Sequence, residues 1–130
     1  MKRTLFICKY NRFRSKTAEA IFNKLNKDKS IIAKSAGLIR GSPISKEIID
    51  SVKKEGYQIK GKPQGINVDL LKWHDTLVIV ADNVPSEIFN SKRFGKKVII
   101  WKIKDTSRNG SEEGHRIIKE IEKRVKRLIK

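Results

Sequence analysis

The chain has 130 residues, 38% of them hydrophobic and 35% charged, which suits one folded domain and excludes a disordered chain or two full domains. Its 31 Lys+Arg against 14 Asp+Glu leave a formal charge of +17, so its field attracts polyanions, phosphorylated proteins, anionic surfaces and small oxyanions. One cysteine excludes an internal disulfide and a thiolate-built structural zinc site, and no apolar run approaches the roughly 20 residues of a membrane span.

Leu5-Phe6-Ile7 is a short apolar run that stops at a polar loop and reads as a buried strand. The basic N-terminus carries too few apolar residues for a secretory signal, so a cytoplasmic protein is expected. Residues 14–27 place Ala18, Ile21, Phe22 and Leu25 at helical spacing. Residues 30–36 read as a second strand, ended by Gly37. Pro43 and Ser45 open a second helix with Ile44, Ile48, Ile49 and Val52 on its apolar face, and Gly56 stops it. A loop over 61–65 leads to one or two helical turns over 67–73, with Asn67 as cap.

Residues 76–81 form a continuous apolar run between Asp75 and Asp82, as in a strand covered on both faces. Residues 84–90 predict a short helix with Pro85 in its first turn. Residues 97–103 predict a fourth strand and 105–114 a polar loop or fraying helix start. The last helix aligns Ile117, Ile118, Ile121, Val125, Leu128 and Ile129. Strands alternating with helices imply an α/β fold, a parallel sheet with helices on both faces joined by right-handed crossovers.

The chemistry concentrates between the first strand and first helix: Cys8, five residues, then Arg14-Ser15. In open α/β sheets ligands bind beyond the carboxyl ends of strands. A loop there can turn successive backbone N–H groups inward as an anion nest, strengthened by the helix N-terminus. The same field favours a thiolate at Cys8, a ready nucleophile. Arg14 offers bidentate hydrogen bonds to two oxygens of a bound oxyanion. Ser15 can donate to the sulfur, and Asn11 tolerates a left-handed backbone while its side chain braces the loop. The plain alternative is that Cys8 is a small buried hydrophobe. That leaves a cation at a helix N-terminus, against the helix dipole, without an explanation.

These residues resemble the low-molecular-weight protein tyrosine phosphatase family, which includes thioredoxin-linked arsenate reductases. Its loop reads C-x-x-N-x-x-R-S, matched here by Cys8, Asn11, Arg14 and Ser15. Residues 18–22, Ser35-Ala36-Gly37, residues 56–59, the strand 77–81 ending at Asp82, and Asp105 after the last strand continue the similarity in order. The resemblance implies a single domain over 1–130. It also implies a three-layer sandwich whose four-stranded parallel sheet has order 2-1-3-4. Cys8 would be the nucleophile. The loop Lys9, Tyr10, Asn11, Arg12, Phe13, Arg14 and Ser15 would bind phosphate, and Asn11, Ser15 and Ser35 would support the loop. Asp105 would be the general acid and then the base. No metal or cofactor is implied. The substrate would be a phosphorylated protein or a small phosphomonoester, and the protein a monomer.

The chain departs from the family pattern in several places. Tyr10 stands where glycine is usual, so a left-handed backbone there would be costly. Phe13 replaces a frequent second cysteine, and Lys16 a frequent proline. Asp105 is followed by Thr106-Ser107 and not by Pro and an aromatic residue. Residues 38–43 are short, as in the arsenate reductases, but a lone Cys8 excludes an intramolecular disulfide relay.

Two other readings therefore stand beside a phosphatase: a non-catalytic anion- or nucleic-acid-binding module, and an arsenate reductase using an external thiol. Lys2, Arg3, Lys9, Arg12, Arg14 and Lys16 read as a basic cluster steering anions. The basic last helix fits a solvated face or weak polyanion binding. His74 and His115 read as surface or capping residues, Trp73 and Trp101 as packing. Asp82 reads as structural or as a brace for Arg14, and Tyr57 has no special context.

Overall fold

The computed structural model describes residues 2–89, 97–105 and 112–129. Its elements are β1 (Lys2–Cys8), α1 (Arg14–Leu25), β2 (Ile31–Gly37), α2 (Lys46–Lys54), α3 (Val68–Trp73), β3 (Thr76–Val80), β4 (Lys97–Trp101) and α4 (Glu112–Ile129). A single 3-10 turn, Ser86–Ile88, lies between β3 and β4. The strands form one parallel sheet in the order β2-β1-β3-β4, as the resemblance implied.

Alternate residues of the central strands feed two cores, as the two-residue period of a strand requires. Phe6, Val78 and Val80 face a core filled from α1, α2 and α4 by Ile21, Phe22, Ile48, Val52, Ile118, Ile121 and Val125. Leu5, Ile7, Leu77 and Ile79 face the opposite core, closed by Leu70 of α3 and by Val84 and Phe89. Each fully buried Leu or Ile contributes roughly 1.5–3 kcal/mol. The β1–α1 loop at the carboxyl edge of the sheet therefore rests on a rigid base.

Caps set the helix starts. Ser45 Oγ accepts from the Ile48 amide at 3.3 Å, and Asn67 Oδ1 accepts from the Leu70 amide at 2.8 Å. At the junction of α2 with α4, Glu55 pairs with His115 and, at 3.1 Å, with Lys119. The Tyr57 hydroxyl donates to Glu122. Burial, that hydrogen bond and the nearby carboxylate charges push the Tyr57 phenol up.

Several expectations change. β1 starts at Lys2, ahead of the apolar run, because Lys2 and Arg3 pair with Ile31 and Ile32 while staying exposed. The helix expected over 84–90 is only the turn Ser86–Ile88, with Pro85 just before it and extended at ψ 120°; Asn90 lies outside the described residues. β4 ends at Trp101 and not at Ile103, because the Ile103 amide turns back to the Trp101 carbonyl at 2.9 Å. The expected loop over 105–114 lies mostly outside the described residues. Gly114 is already in α4, which starts at Glu112. His74 is buried and not on the surface. It caps α3, with its amide and ring Nδ1 both near the Leu70 carbonyl.

Candidate active site

Residues 9–13 connect β1 to α1 at the carboxyl edge of the sheet. The carbonyls of Cys8, Lys9 and Tyr10 accept from the amides of Leu38, Ile39 and Gly41 at 2.9, 2.9 and 3.0 Å. With those carbonyls turned outward, none of the amides of residues 9–16 has an acceptor among the described residues. Helix α1 starts at Arg14 with no side-chain cap and no acid in its first turn. A run of unpaired N–H groups continuing into a helix start can form an anion nest.

Two glycines allow this shape. A Cβ at Gly37 would lie 2.7 Å from the Tyr10 carbonyl carbon and 2.8 Å from the Asn11 nitrogen. A Cβ at Gly41 would lie 2.6 Å from the Tyr10 carbonyl oxygen. The loop backbone thus rests directly on the chain leaving β2, with no room for a side chain between them. The left-handed residue is Asn11, at φ 56°, so Tyr10 is spared the strain expected of it. Asn is among the few residues that adopt this conformation readily.

Below the loop lies a buried polar network. Ser35 Oγ donates to Glu19 Oε1 at 2.6 Å. Asn11 Nδ2 then donates to Ser35 Oγ at 2.9 Å and to Ser15 Oγ at 2.8 Å. Ser15 Oγ, already an acceptor, lies 2.9 Å from Cys8 Sγ. Its own proton is then available to a thiolate at Cys8. Asn11 Oδ1 accepts from the Gln64 amide at 2.9 Å, and Gln64 Nε2 donates to the Ser35 carbonyl at 2.8 Å. Gln64 reaches this position because residues 64–66 run alongside the end of β2, bridging at Gly37 and Gly65.

Arg14 is 2% exposed. Its Nη1 donates to the Ile103 carbonyl at 2.9 Å and its Nη2 to Asn83 Oδ1 at 3.0 Å. Asp82 and Asp105 each approach it at 3.6 Å. The guanidinium is locked in one plane by groups following β3 and β4. Asp105 is 46% exposed beside it. Cys8, Tyr10, Arg12, Phe13, Arg14, Ile48 and Asp105 enclose a concavity of about 60 Å³, several times the roughly 10–15 Å³ that one water needs.

The structure thus brings Cys8, Arg14, Asp105, Asn11, Ser15 and Ser35 together. Lys9 and Tyr10 lie at the mouth, where Lys9 Nζ sits 5.3 Å from the Tyr10 ring centroid and Tyr10 is 40% exposed. Lys2, Arg3 and Lys16 leave the expected steering cluster: Lys2 and Arg3 stand at the start of β1, at the opposite end from Cys8, and Lys16 is buried, donating to the Lys60 carbonyl at 3.0 Å and lying 3.7 Å from Glu19. Helix α1 points it away from the mouth.

Sequence reasoning missed Glu19, Gln64 and Asn83. Glu19 had a signal, since Asn11, Ser15 and Glu19 recur every four residues along one line of α1 and its entrance. Asn83 follows Asp82 directly. Gln64 had none, being 53 residues from the side chain it supports. Among the described residues no group of His, Cys, Asp or Glu side chains could hold a metal ion.

The chain matches the family model for low molecular weight phosphotyrosine protein phosphatase over residues 3–130. Among solved structures it resembles the low molecular weight protein tyrosine phosphatase from T. tengcongensis, at 27% identity and a TM-score of 0.84, covering 99% of this chain and 98% of that one. It also resembles an arsenate reductase from Archaeoglobus fulgidus, at 28% identity and a TM-score of 0.74, covering 97% and 98%. A protein tyrosine phosphatase from Entamoeba histolytica shares the fold at 20% identity and a TM-score of 0.86, covering 99% and 94%. No curated protein sequence matches significantly. A family match over almost the whole length shows that the chain belongs to the low molecular weight phosphotyrosine protein phosphatase family.

Proposed function

We propose that the protein is a cysteine-dependent phosphatase that hydrolyses phosphomonoesters through a phosphocysteine at Cys8. The observation that carries this reading is the run of unpaired amides over residues 9–16 around a buried sulfur. A phosphate seated there supplies the acceptors those amides lack. Cys8 and Arg14 line the same concavity.

In the first step the Cys8 thiolate attacks phosphorus while the ester oxygen departs. Asp105, protonated, gives that oxygen its proton. Arg14 and the loop amides hold the equatorial oxygens, whose charge is spread in the transition state. In the second step Asp105, now a carboxylate, takes a proton from water, and the resulting oxygen attacks the phosphocysteine. The S–P bond breaks, phosphate leaves, and the thiolate returns to the Ser15 hydroxyl. Asn11, Ser35 and Glu19 act by fixing that hydroxyl's direction. The partner is a phosphorylated protein or a small phosphomonoester, and the protein acts as a monomer.

The test is turnover of p-nitrophenyl phosphate at mildly acidic pH with EDTA present. Release of p-nitrophenol by the wild type and none by Cys8→Ser is expected. Equal rates for the two proteins would end the proposal.

The arsenate reductase reading has one observation in its favour, the similarity to the Archaeoglobus fulgidus enzyme. An oxyanion nest accepts arsenate as it accepts phosphate, but Cys8 then needs an external thiol as reductant. Arsenite formation dependent on added glutathione or thioredoxin would establish it.

A further inference from the structure

We propose that Arg12 binds a second negative group on the substrate, so that the site takes phosphomonoesters bearing a carboxylate or another phosphate next to the phosphoryl group transferred. This deepens the phosphatase reading and rests on it. Arg12 lines the same concavity as Cys8. Its stem lies flat on Gly41, where an added Cβ would come within 2.7 Å of Cγ and 2.8 Å of Cδ. Its Nη2 donates to the Pro43 carbonyl at 3.2 Å. Backbone thus holds the guanidinium on the wall of the site.

Among the described residues nothing neutralises the charge of Arg12 there. No carboxylate of the described residues pairs with it, and its Nε is buried with no hydrogen-bond partner. The acids nearest the site, Asp82 and Asp105, face Arg14 instead. Leaving a buried N–H unpaired is costly, and more so in a charged group. A ligand anion on that wall offsets this cost. Arg14 and the loop amides already provide for the phosphate itself. Arg12 therefore has its own task, and its fork suits a carboxylate or phosphate. Lys9 Nζ, over the ring of Tyr10 that lines the same concavity, adds a second cation near Arg12 in sequence.

The test compares matched substrates in which only the second charge differs. One pair is 3-carboxyphenyl phosphate and 3-carbamoylphenyl phosphate. The other is a phosphotyrosine peptide with Asp or with Asn beside the phosphorylated residue. For each protein the ratio of kcat/KM within a pair is read, so any general change in rate cancels. The wild type is expected to favour the acidic member about 10-fold in at least one pair at low salt, and less as salt rises. The pair that shows the preference identifies whether the anion belongs to a small ester or a peptide.

Arg12→Gln is expected to bring the ratio to about one, and Arg12→Lys to retain part of it. The same pairs, measured as equilibrium binding to Cys8→Ser and to Cys8→Ser/Arg12→Gln, read the subsite without turnover. Failure of p-nitrophenyl phosphate hydrolysis is thereby separate from failure here. Equal treatment of both members of both pairs by the wild type, or a preference that Arg12→Gln leaves intact, would overturn the proposal.

Discussion

The floor and the rim of the site are built by opposite rules. On the floor Cys8, Asn11, Arg14, Ser15 and Ser35 are each at most 2% exposed, and each is held by side-chain hydrogen bonds to groups a few residues or much of the chain away. At the rim Asp105 is 46% exposed, Tyr10 is 40% exposed, and Arg12 carries an unpaired N–H. The floor must hold one geometry through every turnover, so it is placed in the core, where a low dielectric strengthens each hydrogen bond. The rim, by contrast, is open to solvent at Tyr10 and Asp105.

The sharpest way to break the floor is Arg14→Lys. It keeps the charge but cannot span the Ile103 carbonyl, Asn83 and two phosphate oxygens together. kcat/KM for p-nitrophenyl phosphate should fall on the order of 10³-fold. The matching change at the rim is Asp105→Asn. It should cost about 10²-fold in kcat on an alkyl phosphate, whose leaving oxygen needs a proton. It should cost far less on p-nitrophenyl phosphate, while thermal stability stays close to that of the wild type. An equal loss on both substrates would show that Asp105 holds Arg14 and does not transfer a proton.

Stability separates the two regions next. Asn11→Ala removes the donors to Ser15 and Ser35 and the acceptor for Gln64, and leaves alanine at φ 56°. Denaturant unfolding should show a loss of about 2–4 kcal/mol. Asn11→Gly, which relieves only the backbone, should recover less than half of it.

The smallest effect lies away from the site, at Glu55. Burial tends to raise its pKa, but the hydrogen bond from Lys119 and the charges of His115 and Lys119 bring it below the ordinary 4.5. A lowered folded-state value stabilises the protein above the unfolded value and is lost as pH falls through the folded one. Glu55→Gln should therefore reduce stability near pH 7 by a few tenths to about 1 kcal/mol. The difference from the wild type should vanish in acid, measured by melting from pH 7 down to pH 3.

This division also explains what the sequence made legible. The apolar run ending at Cys8, the unbroken β-branched segment before Asp82 and the spacing from Cys8 to Arg14 all report local facts, a buried strand or a loop of fixed length. Asn11 advertised its left-handed backbone because few residue types accept it. Gly37 and Gly41 were visible as glycines, but their reason, contact with the loop backbone, depends on chain segments some 30 residues apart.

The misses share that cause. Nothing local says that Gln64 would reach Asn11 or that Lys16 would turn inward to Lys60. Ile103 looked like one more strand residue. Its carbonyl is instead taken by Arg14 and by the Asp82 amide, and that diversion brings Asp105 to the site.

The most direct test of the whole account is rapid acid quenching during turnover, followed by peptide mass spectrometry of the segment containing Cys8. A phosphoryl group bonded to the Cys8 sulfur, formed within the first turnover and lost as substrate is exhausted, is the predicted result. Sustained hydrolysis with that peptide never phosphorylated would contradict it.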